Sequence, residues 1–451
     1  MIPENIFRAY DIRGTDKDLT KEVAEKIGKS FATFIGEGKT IVVGRDGRLN
    51  ADELHDAFVS GLISCGCNVV DVDRVTSPIL YFSVPKLRAD AGVMITASHN
   101  PKNWNGFKLC DNTGIVYHGD TIQKLKDIIL QNKFNNSENE GKTIFYDEIF
   151  DDYTRFVLGK ITSDKKLKVV LDVGNGVGGL VAPSIFKKLG HETVVINQQL
   201  DGEFPGRGPD PTAEGALTKL KETVLSNKAD LGIAYDGDAD RVSFVDNNGQ
   251  ELRSGNVTIM ILSRHLLNKH PNSKIVFDVC CSSAVEDYIK QSGGVPIIER
   301  VGHAFITERM AQEQAIFAGE YSNHFYFLEV PGFDDAIFCS LRMAELLSNS
   351  EKKLSSLIDE IPQYFYKFDW AFECPDDKKS NVIEKMKGKF RKLGYNFSEL
   401  DGIKLYFDKD WIVWRISNTR PLVLIFLEAR TKEKFEELER FAEKELIEAM
   451  K

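Results

Sequence analysis

Three short apolar runs of one design constrain this chain most: Thr40-Ile41-Val42-Val43-Gly44, Lys168-Val169-Val170-Leu171-Asp172 and Lys274-Ile275-Val276-Phe277-Asp278. Each ends in a polar turn and leads into a helix-like stretch. A glycine-bearing turn then follows (Gly66, Gly190, Gly293-Gly294), and after it a second apolar run (Val69-Val70, Val194–Ile196, Val295–Ile298). Repeated strand–helix–strand units predict mainly parallel sheets covered by helices, so three tandem related α/β domains are the simplest architecture. A length of 451 residues agrees, because it exceeds what one hydrophobic core supports and calls for two to four domains.

The polar stretch from Gln131 to Lys142 predicts a first boundary, giving a domain over 1–142. Asp246-Asn247-Asn248-Gly249 reads as a hairpin turn and ends a second domain over 143–248. Pro362 precedes a change of pattern, which leaves 249–362 as a third domain and 363–451 as a fourth. In that last part, strands near 403–407, 411–415 and 422–428 come before a charged amphipathic helix from Lys432, a smaller α+β unit.

With 42% hydrophobic and 28% charged residues the chain has a soluble globular balance, and its net charge of −10 argues against nucleic-acid and anionic-membrane partners. An anionic ligand would need a local basic cleft. Met1-Ile2-Pro3-Glu4-Asn5 lacks a secretion-signal pattern and no apolar run reaches spanning length, so a cytoplasmic location is expected. Seven cysteines without CxxC spacing read as reduced thiols rather than a zinc site or a disulfide framework.

Chemistry enters at two loops. Thr96-Ala97-Ser98-His99-Asn100-Pro101 follows the apolar run Ala91–Ile95, so it lies at the end of a buried strand, where α/β proteins place reactive groups. There Ser98 is presented, His99 can polarise it or orient a group bound to it, and Asn100-Pro101 forces a turn. By itself the pair also fits a structural turn. Asp236-Gly237-Asp238-Ala239-Asp240-Arg241 follows the run Leu231–Tyr235 and sets three carboxylates at alternate positions. Such carboxylates repel unless a hard cation joins them, and Mg²⁺ suits an all-oxygen set with room for a phosphate oxygen. The calcium-loop alternative needs Gly sixth and Glu twelfth, where Arg241 and Asn247 stand. A solvated acidic turn stays open at this level.

Together, and in this order, the two loops resemble the α-D-phosphohexomutase superfamily over nearly the whole chain. Further matching motifs are Gly319-Glu320-Tyr321-Ser322, Arg415-Ile416-Ser417-Asn418-Thr419 and Phe7-Arg8-Ala9-Tyr10-Asp11-Ile12-Arg13-Gly14, the last pointing to the phosphomannomutase/phosphoglucomutase branch. The resemblance implies three similar α/β domains and a smaller C-terminal domain around a central cleft. It also implies a phosphoserine at Ser98, with Mg²⁺ held by Asp236, Asp238 and Asp240 together with the Ser98 group. His99, Lys108 and Arg13 would assist at the transferring phosphoryl group; a turn-stabilising imidazole, a solvated lysine and a salt-bridged arginine are the plain alternatives. Tyr10, Arg241, His303, Glu320, Ser322 and His324 would face the sugar, and Arg415, Ser417, Asn418 and Thr419 the phosphate that is not transferred. Gly44-Arg45-Asp46-Gly47-Arg48 is another shared signature, its arginines equally open to a catalytic role and to holding domains together.

The implied activity is interconversion of hexose 1-phosphate and hexose 6-phosphate, glucose or mannose, through a hexose 1,6-bisphosphate that also serves as activator. Hexose phosphates are the expected partners, and the oligomeric state is left open. Phosphoglucosamine mutase, disfavoured by Phe7–Gly14, and a sugar-phosphate-binding homologue with little turnover are the alternatives. The second is motivated by four departures from the shared pattern, at Cys280, Asn323, Arg420 and Phe426.

Overall fold

A computed structural model of the chain describes residues 2–330, 332–417 and 420–451. The three runs singled out above become the central strands Thr40–Arg45, Lys168–Asp172 and Lys274–Asp278 of three separate sheets. Each has a parallel neighbour on both sides. These are Asn68–Arg74 and Ala91–Ile95 in the first sheet, Glu192–Ile196 and Leu231–Tyr235 in the second, and Val295–Glu299 and Phe317–Gly319 in the third.

The last strand of each trio then turns back into an antiparallel one: Trp104–Asp111, Val242–Asp246 and Phe325–Phe327. The sheets are therefore mixed, with a parallel core and an antiparallel margin, because a chain that reverses directly needs no covering crossover. Ile12–Thr15 and Thr143–Phe145 extend the first sheet at its two edges, and Glu251–Leu252 extends the second. The strand at 143–145 pairs with Asn68–Arg74, past the polar stretch that suggested the first boundary, and Glu251–Leu252 lies beyond the 246–249 turn. We propose that the first two domain limits fall a few residues later than those polar turns.

The fourth unit is a five-stranded sheet in the order Phe365–Glu373, Leu422–Ala429, Asp410–Ile416, Ile403–Phe407, Phe397–Ser398, all antiparallel. Helices Asp376–Lys392 and Lys432–Met450 pack on it. The second of these starts where Thr431 caps it, its hydroxyl accepting from the Lys434 N–H. One continuous apolar cluster joins residues of the first three units, whereas the fourth has a core of its own. All seven cysteines are free and buried, and among the described residues no helix is long and apolar enough to cross a membrane.

Topology places the chemistry. Thr96–Pro101, Asp236–Arg241 and Glu320–His324 are the same connection in three successive sheets, each leaving the strand beside the central one and entering the antiparallel return. The segment after Asp410–Ile416 is likewise the link to an antiparallel neighbour, Leu422–Ala429.

Candidate active site

Ser98 is buried and adopts φ +50°, a left-handed conformation unusual for a side-chain-bearing residue. Such strain costs about 1–3 kcal/mol and persists only where the surroundings over-determine it. Here they do. The Ser98 N–H donates to Thr96 Oγ1 at 2.9 Å, and the Ser98 hydroxyl donates to Asp236 Oδ2 at 2.7 Å, with Asp240 Oδ1 at 3.3 Å and His99 Nδ1 at 3.2 Å. The two loops meet main chain to main chain: a Cβ on Gly237 would lie 2.7 Å from the Ser98 carbonyl oxygen. Glycine is required there by proximity, not by dihedral angle.

Lys108 lies on the antiparallel return, paired with Met94, which points its chain into the same centre. Its ammonium donates to Asp238 Oδ2 at 2.8 Å and to Asp240, with Ser77 Oγ at 3.5 Å. The expected alternative of a solvated lysine fails, since the residue is buried. Burial opposes its charge, but the Asp238 and Asp240 carboxylates outweigh it and hold the lysine well above its ordinary value. For Asp240 burial is overcome first by Lys108 and then by Arg241, and its carboxyl sits well below the usual range. For Asp236 burial and the two neighbouring carboxylates act together and push it up.

Ligating atoms of Asp236, Asp238 and Asp240 lie within 4.8 Å of one another, and Asp238 Oδ1 is buried without a hydrogen-bond partner among the described residues. The Lys108 ammonium bonds only two of these three carboxylates, and a buried acceptor is left over. A hard divalent cation such as Mg²⁺ fits this all-oxygen donor set. Asp240 is also close to His324 and Asp334. There, however, Arg241 Nε donates to His324 Nε2 at 2.9 Å and Asp334 Oδ2 is 2.5 Å from His324 Nδ1, so both imidazole nitrogens are committed. This chain fixes the proton on Nδ1 and makes Asp334 an orienting group that the sequence did not reveal.

Arg13 reaches the serine loop directly, donating to Asn100 Oδ1 at 3.2 Å and pairing with Asp11 at 2.6 Å. His99 and His303 are held well below their ordinary values, first by burial and then by nearby cations, so both are neutral imidazoles. Tyr10 packs edge-on against His303 with centroids 4.6 Å apart, and His303 lies 6.3 Å from the His324 ring. Glu320 is tied at both oxygens, accepting from Tyr326 Oη at 2.6 Å and from the Gly302 N–H at 3.0 Å; Ser322 is half-buried on the same turn. Asp278, raised to about 7 by burial and by Glu320, accepts from the Tyr321 N–H at 2.6 Å and so pins that turn.

Arg415 and Ser417 form a separate group in the fourth unit. Arg415 is buried, donates from Nε to Asp401 Oδ2 at 2.8 Å, and keeps Nη2 without a hydrogen-bond partner among the described residues. Asp401 Oδ2 also accepts from the Val301 N–H at 3.1 Å, which ties this group to the Gly302-His303 loop. Asn418 and Thr419 lie outside the described residues.

Three of the four departures find a physical account. Asn323 takes φ +71°, a region glycine and asparagine both tolerate, and its amide donates to Ser243 Oγ at 2.9 Å and to the Arg253 carbonyl at 2.7 Å. The turn is preserved and gains two hydrogen bonds. Cys280 and Phe426 pack with Trp411, Val413 and Leu424 into an apolar seam between the third and fourth units, with the Tyr321 ring 4.9 Å from Phe426. Arg420 is exposed, and nothing in the structure explains its presence.

Models of the phosphoglucomutase/phosphomannomutase family match three segments: alpha/beta/alpha domain I over 4–136, domain II over 151–249 and domain III over 254–365. A phosphomannomutase/phosphoglucomutase of Pseudomonas aeruginosa is 35% identical over 441 residues, covering 97% of this chain and 94% of its own. A phosphoglucomutase/phosphomannomutase family protein of Burkholderia thailandensis superposes with a TM-score of 0.91 at 31% identity, over 100% of this chain and 98% of that one. The fold is shared more distantly by an Aspergillus fumigatus N-acetylphosphoglucosamine mutase solved with GlcNAc-6P and magnesium, with a TM-score of 0.56 at 16% identity, over 83% and 93% of the two chains.

Proposed function

As this chain belongs to the phosphoglucomutase/phosphomannomutase family, we propose that it is a phosphohexomutase, an intramolecular phosphotransferase that interconverts hexose 1-phosphates and hexose 6-phosphates of glucose or mannose. The observation that carries this reading is Ser98 Oγ, held 2.7 Å from Asp236 inside the three-carboxylate cluster that Lys108 closes from the other side. Phosphoryl transfer needs positioning and charge stabilisation more than covalent assistance from the protein, and this centre supplies both.

In the reading, phosphorylated Ser98 gives its phosphoryl group to a hydroxyl of the bound hexose phosphate. The sugar oxygen–phosphorus bond forms, the Ser98 Oγ–phosphorus bond breaks, and the hydroxyl proton is passed to Ser98 Oγ. His99, neutral and 3.2 Å away, is the base placed to carry it. The product is a hexose 1,6-bisphosphate, which turns end over end and returns its other phosphoryl group to Ser98. Asp236, Asp238 and Asp240, with an oxygen of the Ser98 group, would hold Mg²⁺, which when bound neutralises phosphate charge and fixes its orientation.

Arg13 orients the loop, Lys108 keeps the carboxylates paired, and Tyr10, Arg241, His303, Glu320, Ser322 and His324 receive the sugar. Arg415, Ser417, Asn418 and Thr419 receive the distal phosphate. Intact-mass analysis after incubation with glucose 1,6-bisphosphate should show one added phosphoryl group, absent in Ser98→Ala, and chelator should stop exchange of label between C1 and C6 phosphates. Full exchange by Ser98→Ala, or binding of hexose phosphates with no exchange by the wild type, would defeat the reading. Glucose, mannose and glucosamine 1-phosphates assayed side by side set the sugar preference.

A further inference from the structure

Arg48 follows the strand Thr40–Arg45, and its side chain is fully buried. A guanidinium carries five N–H donors, and here each has a partner. Nε donates to Asp46 Oδ2 at 3.1 Å, Nη1 to the carbonyls of Pro101 at 2.8 Å and Trp104 at 2.9 Å, and Nη2 to those of Ser98 and Asn100, both at 2.7 Å. One bond goes to a carboxylate. The other four grip the main chain of the serine loop and of the strand that leaves it.

That distribution is unlike an ordinary buried ion pair, whose donors go mainly to its counter-ion. Arg45, in the same motif, shows the ordinary case: it pairs with Asp52 at 2.6 Å, Asp73 at 2.7 Å and Asp71 at 3.6 Å, and none of these belongs to the serine loop. The loop bearing Arg48 is also backed by the second domain. The Phe204 ring centroid lies 5.2 Å from the guanidinium, and a Cβ on Gly202 would lie 2.6 Å from the Leu49 nitrogen and 2.7 Å from the Gly47 oxygen. Arg48 thus stands at the seam between the domain that presents Ser98 and the domain that presents Asp236.

We propose that Arg48 is the positioning residue of the serine loop: it holds the left-handed main chain at Ser98 and sets the register of Ser98 Oγ against Asp236 across the domain seam. It touches no substrate and acts through the Ser98, Asn100, Pro101 and Trp104 carbonyls. The inference rests on the reading of Ser98 as phosphoryl carrier. Lysine keeps the charge but offers three donors on a single nitrogen, and glutamine keeps neither charge nor fork.

The test compares wild type with Arg48→Lys, Arg48→Gln and Arg45→Gln, all kept in the full chain. It measures kcat, KM and the rate of Ser98 phosphorylation by glucose 1,6-bisphosphate, per folded molecule judged by near-ultraviolet circular dichroism. Both Arg48 variants should lose roughly 30-fold or more in kcat, with the phosphorylation rate falling in step and KM moving by less than about threefold. Arg45→Gln should lose thermal stability yet keep kcat within about threefold, as a purely structural arginine would.

Should Arg48→Gln unfold because Asp46 is left unpaired, the charge-neutral pair Asp46→Asn/Arg48→Gln serves instead and should show the same loss. A folded Arg48 variant with near-wild-type kcat and phosphorylation rate overturns the proposal. A wild type that acquires no phosphoryl group at Ser98 removes the function reading, and this proposal with it.

Discussion

Adding a single methyl group at Gly237 tests the loop-to-loop contact at the centre of the site. Gly237 does not have a positive φ, so alanine adds no backbone strain, but its Cβ would lie 2.7 Å from the Ser98 carbonyl oxygen. An ordinary carbon–oxygen contact is about 3.3 Å, so the serine loop and the aspartate loop must part by at least roughly 0.6 Å. The other neighbours, Pro209 Cβ at 3.5 Å and Phe204 Cε1 at 3.6 Å, are already in ordinary contact, so the strain is relieved at Ser98.

A 1 Å misplacement of reacting groups costs about 100-fold in rate, so Gly237→Ala should lower kcat by roughly 10- to 100-fold. The overpacking itself should cost about 1–3 kcal/mol of stability. Gly388→Ala is the matched control: it lies within helix Asp376–Lys392, meets nothing within 4 Å, and should be neutral or stabilising by about 0.5–1 kcal/mol with unchanged kcat. Initial rates with glucose 1-phosphate, alongside thermal unfolding of both variants, give the answer. A Gly237→Ala enzyme with wild-type kcat would show that the spacing of the two loops does not govern turnover.

Lys108→Met removes the cation from two buried carboxylates and should cost about 3–5 kcal/mol at neutral pH. Asp240 is depressed in the folded wild type, so its contribution to stability is present above its unfolded value near pH 4 and lost on acidification. Lys108 is raised, so its own contribution is lost only in alkali. The stability gap between wild type and variant should therefore hold from pH 7 down to about pH 4 and narrow only below it; denaturant titrations in which the gap does not narrow on acidification below about pH 4 would contradict the pairing. Arg415→Ala should weaken binding of every hexose phosphate and lower turnover about 10-fold or more, while Glu320→Ala should change the preference among epimers. Calorimetry and rates on glucose and mannose phosphates separate these, and an Arg415→Ala effect confined to one epimer would reverse the assignment.

The three strand runs at 40–44, 168–172 and 274–278 were legible in the sequence because β-branched apolar patterning and glycine turns act over neighbouring residues. The donor sets of Thr96–Pro101 and Asp236–Arg241 were legible for the same reason, since each is contained in six consecutive positions. Asn323 stood as a departure from the shared pattern, and only its φ of +71° showed the turn intact. Lys108 carried a solvated alternative until the structure put it beside Asp238 and Asp240, 130 and 132 positions away along the chain. Arg48 was equally open between two roles, because the four carbonyls it grips are main-chain atoms present at every residue and leave no mark in side-chain identity. Local sterics and hydrophobic periodicity determine strands, turns and the inventory of reactive groups. Which groups meet across 50 to 140 positions, and which lysine is buried, is decided by close packing of whole domains, a property that no short stretch of sequence contains.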